Sequence, residues 1–118
     1  MGDEKIEIIR SSSIGDPGRA HSTVRGQTLV LDSSTHPRDD ALTNSEAFLA
    51  GVSSCGVTLI ELHAQSEGVP LSGLTVEIEG VRTPSTLPAS FDRISMRFEM
   101  SGVSQAQAEE LLEVYRHR

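Results

Sequence analysis

Tryptophan is absent from the 118-residue sequence, and the remaining aromatics are one Tyr and three Phe. Lys and Arg number 10 against 17 Asp and Glu, a formal net charge of −7, and no basic run occurs. Nucleic-acid binders neutralise phosphates with a positive patch and commonly stack bases on aromatic rings. Both features are missing, so nucleic acid is excluded as a partner. No unbroken apolar run reaches the roughly 18–20 residues of a membrane span, so no membrane partner is expected. The opening "MGDEKIEIIR" is charged and short of the apolar stretch of a signal peptide. A single cysteine, Cys55, cannot staple the fold internally. With no export signal, a reducing cytoplasm is the expected location. His21, His36, His63 and His117 show no metal-ligand spacing with one another or with Cys55. "EGVRTP" is no phosphate loop and the serine runs lack a nucleophile-elbow context, so neither metal nor cofactor is expected.

What is present reads as one domain, residues 1–118. "EKIEIIRSSSI" (residues 4–14) alternates loosely and predicts a strand, and "GDPG" (Gly15 to Gly18) is turn chemistry. "RAHSTVR" and "QTLVLD" predict two more strands hinged at Gly26, completing an antiparallel meander. "SSTHPRDDALTN" is a polar loop. A long helix is expected from Asn44 to about Glu67, stopped by Gly68 with Pro70 beyond. "LTVEIEGVR" and "FDRISMRFEM" alternate as strands, the first with a kink at Gly80, and "TPSTLPAS" joins them as a loop. "SQAQAEELLEVYRHR" predicts a second helix, N-capped by Ser104, with Ala108, Leu111, Leu112 and Tyr115 on one face. Glu77 and Glu79 share a strand face and read as solvated charge. The order βββ-α-ββ-α is an α+β arrangement.

The first helix poses a problem of coverage. Phe48, Val52, Cys55, Leu59 and Leu62 recur at helical spacing and form an apolar stripe. The other side, through Ala50, Val57 and Ile60, carries almost no charge before Glu61. A helix apolar all round must be covered all round. One sheet covers one side, and five short strands cannot wrap the rest. A second copy of the chain is the simplest cover. Cys55 then has two readings. It is a small buried hydrophobe, as free cysteine commonly is, or it is a thiol placed to react. A reactive thiolate needs nearby donors or positive charge. Ser53 and Ser54 are the local donors, and Arg19, Arg25 and Arg38 the candidate cations.

The polar loop, "TNSEAFLAGVSSC" and the helix ending in "EGVPLSGLTVEIEGV" together resemble the OsmC/Ohr family of osmotically inducible and organic-hydroperoxide-resistance proteins. The resemblance spans nearly the whole chain. It implies an α+β fold with an N-terminal antiparallel meander, a long central helix, two further strands and a second helix. It also implies two chains interlocked into a homodimer around their central helices. It implies a thiol-dependent peroxidase acting on organic hydroperoxides in oxidative-stress defence. Cys55 matches the family's helix cysteine, Arg19 in "PGRAHS" its meander arginine, and Glu46 its glutamate at the helix start.

Two departures from that pattern stand out. Glu46 precedes Cys55 by nine residues, where the family's peroxidases have ten. At about 100° per residue, nine steps set two side chains about 180° apart on a straight helix. Thr43-x-x-Glu46 is also a capping box, which gives Glu46 a structural role compatible with a site role. The family's second cysteine, in a Cys-Pro pair after the second helix, has no counterpart before the sequence ends at "VYRHR". A sulfenic acid on Cys55 would then need an external thiol or dithiol to be recycled. The leading expectation is a peroxidase in which Cys55, Arg19 and Glu46 form the site. The alternatives are a non-catalytic module holding a small hydrophobic ligand in the dimer cleft, and a degenerate structural homologue.

Overall fold

The computed structural model describes residues 4–83 and 91–116. The chain divides into two compact units, Met1–Ala47 and Phe48–Arg118. The first holds β1 (Arg10–Ser13), β2 (Arg19–Val24), β3 (Gln27–Asp32) and β4 (Leu42–Thr43), in the sheet order β1-β2-β3-β4. The expected antiparallel meander is present in β1 to β3. Its hairpin turns at Arg25 and Gly26, both with positive φ (50° and 78°). A two-residue turn of that hand matches the twist of the flanking strands, which is why glycine sits there. Arg25 is therefore a turn residue.

Two expectations for this unit are corrected. The first strand does not extend over residues 4–14 but only over Arg10–Ser13. Register explains this: Arg10 faces Thr23 in β2, so the residues before Arg10 would face the turn where β2 ends. Ile6, Ile8 and Ile9 are accordingly exposed. The polar loop after β3 also ends early. Leu42 and Thr43 form a short strand parallel to β3, through Leu31↔Leu42 and Asp32↔Thr43.

Helix α1 (Asn44–Ser66) has the expected bounds. Its end is a Schellman stop: Val69 N–H donates to the Ala64 carbonyl (2.9 Å) and Gly68 N–H to that of Gln65 (3.4 Å). In the second unit β5 (Gly73–Val81) and β6 (Arg93–Ser101) pair antiparallel from Gly73↔Ser101 to Val81↔Arg93, and α2 (Gln105–Arg116) follows. Ser104 caps α2 as expected, accepting from Gln107 N–H (3.1 Å) while its own N–H donates to the Gln107 side chain (2.9 Å). The core is Ile60, Ala64 and Leu111, ringed by Val69, Leu71, Leu74, Phe98, Met100, Val103 and Tyr115. Full burial stabilises by roughly 1.5–3 kcal/mol for each large aliphatic side chain, here Ile60 and Leu111.

The face that α1 buries runs through Gly56, Ile60 and Ala64 and not through the stripe of Phe48, Cys55 and Leu62. Gly56, Ile60 and Ala64 are buried, while Cys55 is exposed and Phe48 and Leu62 remain 55% and 63% exposed. The cause is ring size on the opposing surface. A Cβ at Gly56 would stand 3.4 Å from both Phe98 and Tyr115, whose rings pack at 5.5 Å. A small residue there admits both rings, which a leucine or phenylalanine would exclude. The reading of Cys55 as core filler is thus overturned within the chain. At 23 residues α1 is long and apolar enough, by length and composition, to cross a membrane. Ser53, Ser54 and Thr58 break the apolar run in the sequence, but in the helix their hydroxyls donate to backbone carbonyls three or four residues back.

Gly80 does not kink its strand. It lies within β5, paired with Ile94, and the Phe91 ring occupies the space a side chain would need. Phe91 in turn stacks on Phe48 with centroids 6.2 Å apart. Of the two-proline loop, residues 84–90 lie outside the described residues, as do residues 117–118 of the predicted second helix, His117 among them. A Cβ on Gly80 would come within 2.6 Å of Phe91. Gly80→Ala should therefore destabilise the second unit by about 1–3 kcal/mol, read from urea denaturation. Unchanged stability would show that Phe91 is free to move aside.

Candidate functional site

The hairpin fixes the first element of the site. With the turn at Arg25 and Gly26, Arg19 stands directly across from Asp32. The side chains meet as a fork: Arg19 Nε donates to Asp32 Oδ1 at 2.7 Å and Nη2 to Oδ2 at 3.1 Å. Asp32 is fully buried and also accepts the Arg38 backbone N–H at 3.3 Å. The outer edge of the same guanidinium is taken by Asp40, through Nη1 at 3.1 Å and Nη2 at 2.5 Å. Asp40 itself is 70% exposed. Arg38 is engaged elsewhere, holding Asp16 and the Pro17 carbonyl.

These contacts set the titration behaviour. Asp40 first, and then Asp32, holds the Arg19 guanidinium more firmly charged than an ordinary arginine. Arg19 in return holds Asp32 below the usual carboxylate range, against the opposing effect of burial, and does the same to Asp40. Arg38 lowers Asp16 likewise. One cation thus serves two carboxylates, and the trio carries a net charge of about −1 near neutral pH.

Glu46 closes the start of α1. Its Oε1 accepts the Thr43 N–H at 2.9 Å, and its own N–H donates to Thr43 Oγ1 at 3.2 Å. This is the reciprocal capping box foreseen in the sequence. Cys55 sits in the middle of α1, exposed. Ser53 and Ser54 do not serve as its donors, because both hydroxyls are spent on the helix backbone at Leu49, Ala50 and Gly51.

Arg19 and Glu46 thus belong to the first unit and Cys55 to the second. What the structure does bring together with Arg19 are Asp32 and Asp40, neither singled out in the sequence. For Asp32 a signal existed: a hairpin turning at Arg25-Gly26 pairs Val24 with Gln27 and hence Arg19 with Asp32. For Asp40 there was none, since it lies in an irregular loop. Among the described residues no group of three or more His, Cys, Asp or Glu converges as a metal site.

With this geometry in view, comparison with known proteins finds the following. The sequence model of the family described as OsmC-like protein matches residues 37–118. No curated protein matches. Among solved structures, an OsmC-like protein from Mycoplasma pneumoniae shares the fold with a TM-score of 0.84 at 17% identity, over 98% of this chain and 84% of that one. An organic hydroperoxide resistance protein OsmC from Legionella pneumophila gives 0.68 at 18% identity, over 98% and 85%. The organic hydroperoxide resistance protein OhrB of Bacillus subtilis gives 0.63 at 12% identity, over 96% and 84%. At these identities the likeness is one of fold.

The lowered Asp32 gives a pH signature. A carboxylate whose folded pKa lies below its ordinary 3.8 adds stability above that value and loses it as pH falls through the folded value. Asp32→Asn should be less stable than wild type at pH 7, with the gap narrowing below pH 3.8 in urea titrations. A gap that stays constant down to pH 2 would show that the Arg19 pair does not hold Asp32 ionised.

Proposed function

The chain belongs to the OsmC-like family, and from that premise we propose that it reduces organic hydroperoxides through Cys55, with electrons from an external thiol or dithiol. One observation carries this reading: Cys55 is exposed on an apolar stripe instead of buried in the core. A structural cysteine is buried and inert, whereas a reactive one is accessible. Relatives of the same fold from Legionella pneumophila, Elizabethkingia anophelis and Bacillus subtilis are named for organic hydroperoxide resistance.

In the proposed reaction the Cys55 thiolate attacks the distal oxygen of the hydroperoxide. An S–O bond forms, the O–O bond breaks, and the alkoxide leaves and takes a proton to become the alcohol. Sulfur is oxidised to sulfenic acid, and the peroxide is reduced by two electrons. An external thiol condenses with the sulfenic acid, releasing water. A second thiol then reduces the mixed disulfide. Apolar neighbours on the stripe favour alkyl peroxides over hydrogen peroxide. Arg19, lent by the second chain of a homodimer, stabilises the thiolate and the developing oxyanion. Glu46 contributes by fixing the start of α1. The second chain covers the apolar neighbours of Cys55 and leaves the thiol on a cleft between the two chains, and the protein works in the cytoplasm.

A second reading is favoured by a different observation. Arg19 has both edges filled by carboxylates, which suits a module that binds a small hydrophobic ligand without turnover.

Intact mass spectrometry after cumene hydroperoxide separates the two. The peroxidase reading expects a gain of one or two oxygens on Cys55 and none in Cys55→Ser. It also expects about one peroxide consumed per chain unless a small dithiol is supplied. Oxidation of Met96 or Met100 ahead of Cys55 would overturn it in favour of the binding module.

A further inference from the structure

Asp32 and Asp40 hold the same guanidinium on unequal terms. Asp32 is fully buried, sits opposite Arg19 in the β2–β3 ladder and accepts three hydrogen bonds, one of them from the Arg38 backbone. Removing either partner of so buried a pair leaves an uncompensated charge, so the contact persists. Asp40 is 70% exposed, and its carboxylate meets the outer edge of Arg19 and its own backbone N–H. The contact is bidentate, but at that exposure water competes for the Asp40 carboxylate as it cannot for Asp32. Arg38 is pinned to Asp16 and β4 resumes at Leu42, so the chain is held on either side of Asp40.

Charge makes the release necessary. With both carboxylates in place the trio is net negative, which disfavours any further anion nearby. Without Asp40 the pair is neutral and the Nη1/Nη2 edge presents two parallel donors, the geometry that suits an oxyanion.

We propose that Asp32 is the positioning residue that fixes Arg19 on β2, and that Asp40 is a removable strap that shields the outer edge of Arg19 until that edge serves the Cys55 thiolate of the second chain of the homodimer or the peroxide oxyanion there. This rests on the peroxidase reading for the identity of the anion. Its consequence is that the free protein is held below its full thiol reactivity.

The test is the rate of Cys55 alkylation by iodoacetamide between pH 5 and 10, with melting temperatures recorded alongside. Asp40→Asn should move the thiol profile to lower pH and raise the rate at pH 7 roughly three- to tenfold. In an Arg19→Ala background the same change should do nothing. Asp32→Asn should move the profile the other way. If that variant fails to fold, Arg19→Lys, which keeps the charge and loses the fork, takes its place and should likewise blunt the effect of Asp40→Asn. An unchanged profile in Asp40→Asn, or the same shift with and without Arg19, would overturn the strap. Peroxide consumption by wild type is scored separately. An Arg19-dependent shift without peroxide turnover ends the peroxidase reading and keeps the strap. Turnover with Asp40→Asn inert ends the strap and keeps the peroxidase.

Discussion

A 23-residue helix that is apolar on every side constrains everything else in the second unit. Its own hairpin and α2 consume one face only, the one where Gly56 leaves room for Phe98 and Tyr115 and where Ile60 and Ala64 complete the core. The opposite face keeps Phe48, Cys55 and Leu62 in solvent within a single chain. Exposed apolar surface of that kind marks an interaction site. Cys55 falls on this leftover face. Its accessibility and the need to cover its neighbours are two consequences of one packing decision, made by the small residue one position further along.

The first unit is organised by charge. β2 and β3 are short and mostly exposed or half-buried, so apolar burial contributes little there. The buried Arg19–Asp32 fork ties the two strands together at the end opposite their turn. Arg38 with Asp16 ties the turn before β2 to the segment after β3. Arg19 therefore has a structural task whatever else it does. Glu46 likewise has one, as half of a capping box. For both residues a structural role stands beside the proposed chemical one, and substitution alone does not separate them; rates and pH profiles do.

Much of this was legible in the sequence where a local rule was decisive. Thr43-x-x-Glu46 and the Ser104 N-cap marked both helix starts, Gly68 the stop, and the alternation in "LTVEIEGV" and "RISMRFEM" the long hairpin. The family resemblance rested on residues around Cys55 and agrees with the match over 37–118. What escaped depended on partners distant in sequence. The face α1 buries is set by Phe98 and Tyr115, some 40 or more residues on. Gly80 is needed for Phe91, not for a bend. Asp32 was within reach through hairpin register, while Asp40 meets Arg19 through a loop with no periodicity to read.

In the proposed homodimer the face of α1 bearing Cys55 is covered by a second copy of the chain. Multi-angle light scattering at micromolar concentration tests it directly. The predicted mass is twice the 12.7 kDa of one chain. Gly51→Glu is the matching variant, because a Cβ at Gly51 meets nothing within 4 Å in the single chain. The change is therefore harmless to the chain's own packing but sets a charge in the interface, and it should return the mass to one chain with the fold intact. A wild-type mass of about one chain, or a Gly51→Glu variant that still assembles, would rule out a second chain on this face.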